Sequence, residues 1–385
     1  MNNIEFKDFI QLQRGFDLPE QNRKMGNIPI VAATSIIGYH NEAKVKAPGV
    51  VTGRSGALGS VQFINEDFWP LNTTLWVKDF KGNNPKYVYY FLKTLDFKRF
   101  NSGAGVPTLN RNDLDTLQIQ IHPYKIQCKI AKILSNYDNL IENNNKRIKI
   151  LEDMAQKIYK EWFIDFKYPG HETVTFKDTE LGKIPNDWEI VPLETIVSFE
   201  NGYAFKSETY GKDGKYEIVT IKNVQDGFFM YEGMDKINTL PNKIKEGQIL
   251  KEKDIILSLT GNVGRVCMIY GNNYLLNQRV AKIKANTPEY YSFVYSLFRN
   301  EKFFNEILLL ANGAAQQNLS TRDLEKKKII EPSEQLLFNY NKICNDLLNS
   351  IIVLNKRNKL LKQTRDLLLP RLISGEIDVE NLEIK

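Results

Sequence analysis

The chain has 385 residues, 42% of them hydrophobic and 25% charged, with a formal net charge of +6. That length predicts two or more domains with substantial cores, and the composition excludes wholesale disorder. The apolar runs are too short to span a bilayer, the opening MNNIEFKDF lacks a signal-peptide profile, and the three scattered cysteines, Cys128, Cys267 and Cys344, cannot supply a disulfide framework; we read a cytoplasmic protein with buried thiols.

Residues 1–123 mix aromatic and β-branched residues with turn signals and predict an α+β unit of strands, hairpins and short helices. Within it, GALGSV at 56–61 sets two glycines three apart, as a tight turn requires. PKYVYYFLKTL at 85–95 opens on a proline suited to the first turn of a helix. After IHP at 121–123 the period changes: apolar side chains fall at Ile126, Ile130, Ile133, Tyr137, Leu140, Ile148, Leu151, Met154, Ile158 and Trp162, the seam of one long helix over 124–168. At 1.5 Å per residue, some forty residues give a rod about 60 Å long.

A linker at 169–184 leads to a second mixed region, 185–332, with YEIVTIKNV at 216–224 alternating like a strand and PEYYSFVYSLFRN at 288–300 patterned like a helix. Its GNVGRV at 261–266 follows the apolar run DIILSLT and stands 205 residues beyond GALGSV. After IEP at 330–332 a second seam, Leu336, Tyr340, Ile343, Leu347, Ile351, Leu354, Leu361 and Leu368, marks another long helix within 333–385.

The two halves share one plan. WPLN at 69–72 matches YLLN at 274–277 at the same offset of 205, SGAGVPTLNRNDL at 102–114 matches NGAAQQNLSTRDL at 312–324 at an offset of 210, and NKR recurs at 145–147 and 355–357. Matches in one order at nearly constant spacing indicate a domain-sized internal duplication. A long helix with a narrow apolar stripe needs a partner, and its own duplicate is at hand. The expected fold is α+β: two tandem mixed α/β domains separated by two long antiparallel helices in an intramolecular coiled coil, with pseudo-two-fold symmetry. Asn144 and Asn358 interrupt the two seams, either fixing register across the pair or facing solvent.

Catalytic patterns are missing. GNVGRV has no following Lys-Ser or Lys-Thr and fits neither the P-loop nor the dinucleotide fingerprint. His40, His122 and His171 have no cysteine or carboxylate at ligand spacing, no nucleophile elbow occurs, and NNPKY at 83–87 falls short of the Pro-Pro-aromatic loop with which amino-methyltransferases grip a flipped base. The Glu152–Asp153 pair sits on the polar side of its helix, where solvation is the ordinary reading. These absences point away from an enzyme.

Two globular units each followed by a long helix, the G-x-x-G turn, LNQRVAKIK at 276–284, QQNLSTRDLEKKKI at 316–329, the linker LGKIPNDWEIVPL at 181–193 and the ending LLKQTRDLLLPRLISGEIDV at 360–379 together resemble the specificity subunit of type I restriction-modification systems. The resemblance runs over essentially the whole chain; the first copy departs from it by lacking the IPxxW opening. It implies two target recognition domains that each read half of a split, asymmetric DNA site, helices that space the halves, and docking of two modification (methyltransferase) subunits, with restriction subunits joining them. No cofactor belongs to such a subunit; S-adenosylmethionine, ATP and magnesium are expected on the partners. The competing reading is a coiled-coil scaffold or protein-binding adaptor with no DNA role.

For double-stranded DNA, phosphate contacts are expected from the turns holding Arg54, Ser55, Gly56 and Gly59 in one copy and Gly261, Asn262, Gly264 and Arg265 in the other. Base reading needs side chains with paired donors and acceptors; Arg111, Gln278, Arg279, Gln316, Gln317 and Arg322 offer these close to the repeated segments. The same glycines equally suit a plain hairpin.

Overall fold

Turn glycines and alternating strands resolve as hairpins in the computed structural model, which describes residues 1–103, 105–311 and 318–383. The chain divides into two units, Met1–Glu142 with Leu360–Lys385, and Asn143–Lys359.

In the first unit the chain runs through β1 (Asn2–Glu5), α1 (Phe6–Phe9), β2 (Gln11–Arg14), β3 (Ile28–Val31), β4 (Ile36–His40), β5 (Gly49–Gly53), β6 (Val61–Ile64), β7 (Trp69–Pro70) and β8 (Thr74–Asp79). Next come α2 (Pro85–Thr94), α3 (Asn112–Asp115) and β9 (Gln118–Ile121). Asn84 caps α2, its Oδ1 accepting from the Tyr87 amide at 3.1 Å, and Pro85 takes the first helical position where a missing N–H costs nothing. One sheet has the order β2-β8-β5-β6, a second β4-β3-β7, and β1 pairs with β9.

The helix α4 (Tyr124–Tyr159) follows, extended by a π-helical turn at Lys160–Ile164. Where a linker is expected, β10 (Phe176–Thr179) and β11 (Gly182–Pro185) form a hairpin. The second unit continues with β12 (Glu189–Pro192), β13 (Val197–Asn201), β14 (Tyr216–Val219), β15 (Lys236–Ile237), β16 (Ile249–Leu250), β17 (Ile255–Ser258), β18 (Val266–Met268), β19 (Tyr274–Leu276) and β20 (Val280–Ala285). It ends with α5 (Tyr290–Arg299), α6 (Glu301–Ala311), α7 (Thr321–Glu325), β21 (Lys328–Glu331) and α8 (Glu334–Ile373).

The strand order β13-β20-β17-β18 repeats β2-β8-β5-β6. β14 pairs parallel with β19 as β3 does with β7, and β12 pairs antiparallel with β21 as β1 does with β9. The duplication seen in the sequence is thus a duplication of topology, and β1 supplies the opening strand that the first copy provides without an IPxxW motif.

Within each unit the two helices run antiparallel and complete the core. In the first, Ile130 and Leu134 of α4 and Leu369 and Leu372 of α8 pack with Phe9, Tyr87 and Phe91. The His122 Nε2–H donates to the carbonyls of Leu372 and Ile373 at 3.0 and 3.2 Å. In the second, Tyr159, Trp162 and Phe163 pack with Trp188, Phe293 and Tyr340. There the Asn144 amide donates to Asn358 Oδ1 at 2.9 Å and Asn358 Nδ2 to Asn145 Oδ1 at 2.8 Å, with Asn144 and Asn358 8% and 6% exposed. Of the two readings of these asparagines, the paired one holds.

Several seam assignments shift by one residue. Leu140, Met154 and Ile343 are exposed, whereas Leu134, Ile141, Ala155, Cys344 and Leu348 are buried. Apolar residues stand side by side at 133–134, 140–141, 154–155 and 343–344, so spacing alone left two choices and the facing helix selected one. Glu152 also departs from expectation. It is not solvated: Tyr295 of α5 donates its hydroxyl to Glu152 at 2.7 Å, the Arg299 guanidinium lies 3.6 Å away, and burial, against the pull of Arg299, holds the carboxyl above its ordinary pKa. Cys267 and Cys344 are buried as expected, and Cys128 is half-buried.

Candidate nucleic-acid interface

The two matched turns close the hairpins β5–β6 and β17–β18. Gly56, Gly59, Gly261 and Gly264 have φ of +81°, +85°, +70° and +79°, a left-handed backbone that glycine adopts without strain. A Cβ at Gly264 would also stand 3.0 Å from the Phe304 ring. Folding therefore already requires these glycines. The Gly56 amide donates to Pro107 O and the Gly264 amide to Ser258 O.

Each turn is tied to the other repeated segments by corresponding bonds. In the first unit the Arg54 amide donates to Thr73 O at 2.9 Å, the Leu109 amide to Arg54 O at 2.8 Å, and Ser55 bridges to Thr108. In the second, the Leu259 amide donates to Arg279 O at 3.0 Å, the Leu319 amide to Leu259 O at 2.9 Å, and Thr260 bridges to Asn318. Three stretches distant in sequence thereby meet at one end of the four-stranded sheet in each unit.

In the first unit this meeting point opens a cleft of about 770 Å³. Arg54, half-buried, reaches the Asn72 carbonyl with Nη1 at 3.5 Å, and exposed Arg111 reaches Leu12 O with Nη1 at 3.4 Å. Arg14 and Lys78 join them in the lining together with Gln11 and Gln13, and no carboxylate is among the described residues that line it. Such a surface attracts a polyanion.

In the second unit Gln278 and Arg279 are exposed at the edge of a cleft of about 550 Å³, where the Gln278 backbone N–H donates to Tyr203 O at 2.9 Å. Arg265 is engaged within the fold, its guanidinium over the Phe304 ring at 4.9 Å and 3.5 Å from Asp226. Asn262 is exposed, and its carbonyl accepts from the Ser258 hydroxyl. Arg322 is exposed on α7, a helix capped by Ser320, whose Oγ accepts from the Asp323 amide at 3.3 Å. Gln316 and Gln317 lie outside the described residues.

The fold thus brings Arg54 and Arg111 together and Gln278 and Arg279 together, while Arg265 turns toward Asp226. Sequence reasoning missed Gln11, Gln13, Arg14 and Lys78. A signal existed: in QLQR the buried Leu12 alternates with Gln11 and Gln13, which places both amides on the opposite face of β2. Among the described residues no cluster of three metal-ligating side chains occurs, and no helix is long and apolar enough to cross a membrane.

A family model described as a type I restriction modification DNA specificity domain matches residues 1–153 and 185–363. The type I restriction enzyme MjaIX specificity subunit of Methanocaldococcus jannaschii is 32% identical over 305 residues, covering 77% of this chain and 70% of that protein. The HindI specificity subunit of Haemophilus influenzae is 23% identical over 330 residues, covering 70% of this chain and 71% of that one. A crystal structure of the type I restriction-modification system S subunit from M. genitalium shares the fold, with a TM-score of 0.62 at 18% identity over 97% of this chain and 96% of that chain.

Proposed function

This chain belongs to the type I restriction-modification DNA specificity family, and we propose that it reads a bipartite, asymmetric DNA site, one half with each topological copy, while its helices carry the partner subunits. A specificity subunit is the non-catalytic, DNA-recognising component of such a system. On this reading residues 1–123 and 185–332 are the target recognition domains, 124–168 and 333–385 are the spacer helices, and 169–184 is a linker.

The observation that carries the reading is the repeated strand order with the same three segments joined at the same sheet end, since two heads of one design suit two halves of one duplex site. The cation-lined cleft holding Arg54 and Arg111 favours DNA over a protein-binding scaffold. Two modification subunits dock on the helices, and restriction subunits join them. Apolar side chains left exposed there support docking: Leu140, Ile150 and Met154 on α4, and Val353, Leu360 and Leu367 on α8, are between 45% and 70% exposed.

Coexpression with the modification subunit followed by genome-wide methylation mapping tests the proposal. A single split adenine-methylated motif is expected. Matched heptads inserted in α4 and α8 should lengthen the spacer of that motif and leave its half-site sequences unchanged. Altered half-sites at constant spacing, or methylation that ignores this chain, would refute the assignment.

A further inference from the structure

The two clefts differ in chemistry, and each adjoins the loop that leads into the matched strand β8 or β20. In the first unit Arg54 of the cleft reaches the Asn72 carbonyl of that loop at 3.5 Å, and in the second Asn277, Gln278 and Arg279 of the loop line the cleft directly. In the first, Arg14, Arg54, Lys78 and Arg111 stand with the amides of Gln11 and Gln13. In the second, the cations Lys222 and Arg279 are balanced by Glu232 and Asp235, and the remaining lining is largely Phe205, Tyr210, Met230 and Met234, with Asn277 and Gln278. Met230 is 40% exposed.

We propose that the two half-sites differ in base composition, the first unit reading guanines through its guanidinium groups and the second reading A·T pairs through thymine methyls and adenine edges. This rests on the DNA-recognition reading above. Guanine shows two acceptors, O6 and N7, in the major groove, and the planar fork of an arginine matches them bidentately. Thymine alone carries an apolar group there, its 5-methyl, and a methionine or phenylalanine side chain gains by covering it. A side-chain amide pairs with adenine N6 and N7, which suits Asn277 and Gln278 beside the apolar lining. The lack of net cationic charge in the second cleft leaves its phosphate attraction weak, so salt-dependent affinity falls mainly to the first unit.

The test uses the full-length chain and a duplex library with two randomised segments separated by variable spacers. Bound duplexes are sequenced for the wild type, Arg111→Ala and Met230→Ala. The last two residues are exposed, and circular dichroism checks that both variants fold. We expect Arg111→Ala to relax guanine preference in one half-site only and Met230→Ala to relax thymine preference in the other only.

The wild-type protein is then challenged with modified versions of the selected duplex. Replacing thymine by uracil in the half-site assigned to the second unit should weaken binding about fourfold per methyl removed. Replacing guanine by 7-deazaguanine in the other should weaken it about tenfold. Enriched duplexes whose binding ignores both replacements, or responds in the wrong halves, would overturn the inference and leave DNA recognition standing. Absence of any enriched sequence would overturn both.

Discussion

The Asn144–Asn358 pair offers a sharp test of how the helices are held together. Asn144 Nδ2 lies 2.9 Å from Asn358 Oδ1, both residues are more than nine-tenths buried, and Asn145, the second partner of Asn358, is exposed. Asn144→Leu strands the Asn358 acceptor, and Asn358→Leu strands the Asn144 donor, whereas Asn145 can turn to water. An orphaned buried polar group costs about 1–3 kcal/mol, part of which the added leucine surface offsets. Each single variant should therefore lose about 1–2 kcal/mol. The double variant removes both polar groups from a seam that takes leucine readily and should match or exceed the wild type, as polar residues at seam positions cost stability. The coupling energy is then about 2 kcal/mol or more and opposite in sign to the single losses. Urea unfolding of the four proteins, followed by a probe in the Asn143–Lys359 unit, measures it. Losses that add in the double variant would mean that the two amides do not depend on each other, and the register argument would fail.

Two further outcomes follow from buried side chains. Burial, against the carbonyl bonds of Leu372 and Ile373, holds the His122 pKa below its ordinary value. The folded state then binds fewer protons than the unfolded one, so the contribution of His122 is complete above the unfolded pKa of about 6.5 and is lost as pH falls through it toward the lowered folded value. Urea midpoints of the Met1–Glu142 unit should drop between pH 7 and 5.5, and His122→Gln should flatten that drop; an unchanged slope would remove His122 from the account. Trp188, 1% exposed, touches the rings of Phe163, Phe166 and Tyr168 with centroids 5.4 to 5.9 Å apart, so Trp188→Ala should destabilise the Asn143–Lys359 unit by about 3–5 kcal/mol in the same assay. A loss under about 1 kcal/mol would show that this ring is not part of the core.

Much of this protein was legible in its residues. Duplication, the order of elements in each copy, the change of period after the prolines of IHP and IEP, and the glycine turns all follow from local rules: side-chain period, φ preference and helix capping act over a few residues and leave a local signature. The seam was legible only to within one residue, because adjacent apolar pairs such as Leu140–Ile141 satisfy the same spacing and only the facing helix distinguishes them. Tertiary structure alone decided which charged groups gather and which are taken up by distant partners. Arg54 and Arg111 share a cleft with Arg14 and Lys78, while Arg265 is taken up by Asp226 and Phe304, and Glu152 is covered by Tyr295 and Arg299. The groups that take up Arg265 and Glu152 lie from 39 to 147 residues away, and such neighbours are set by strand pairing and helix packing rather than by any local preference of the chain.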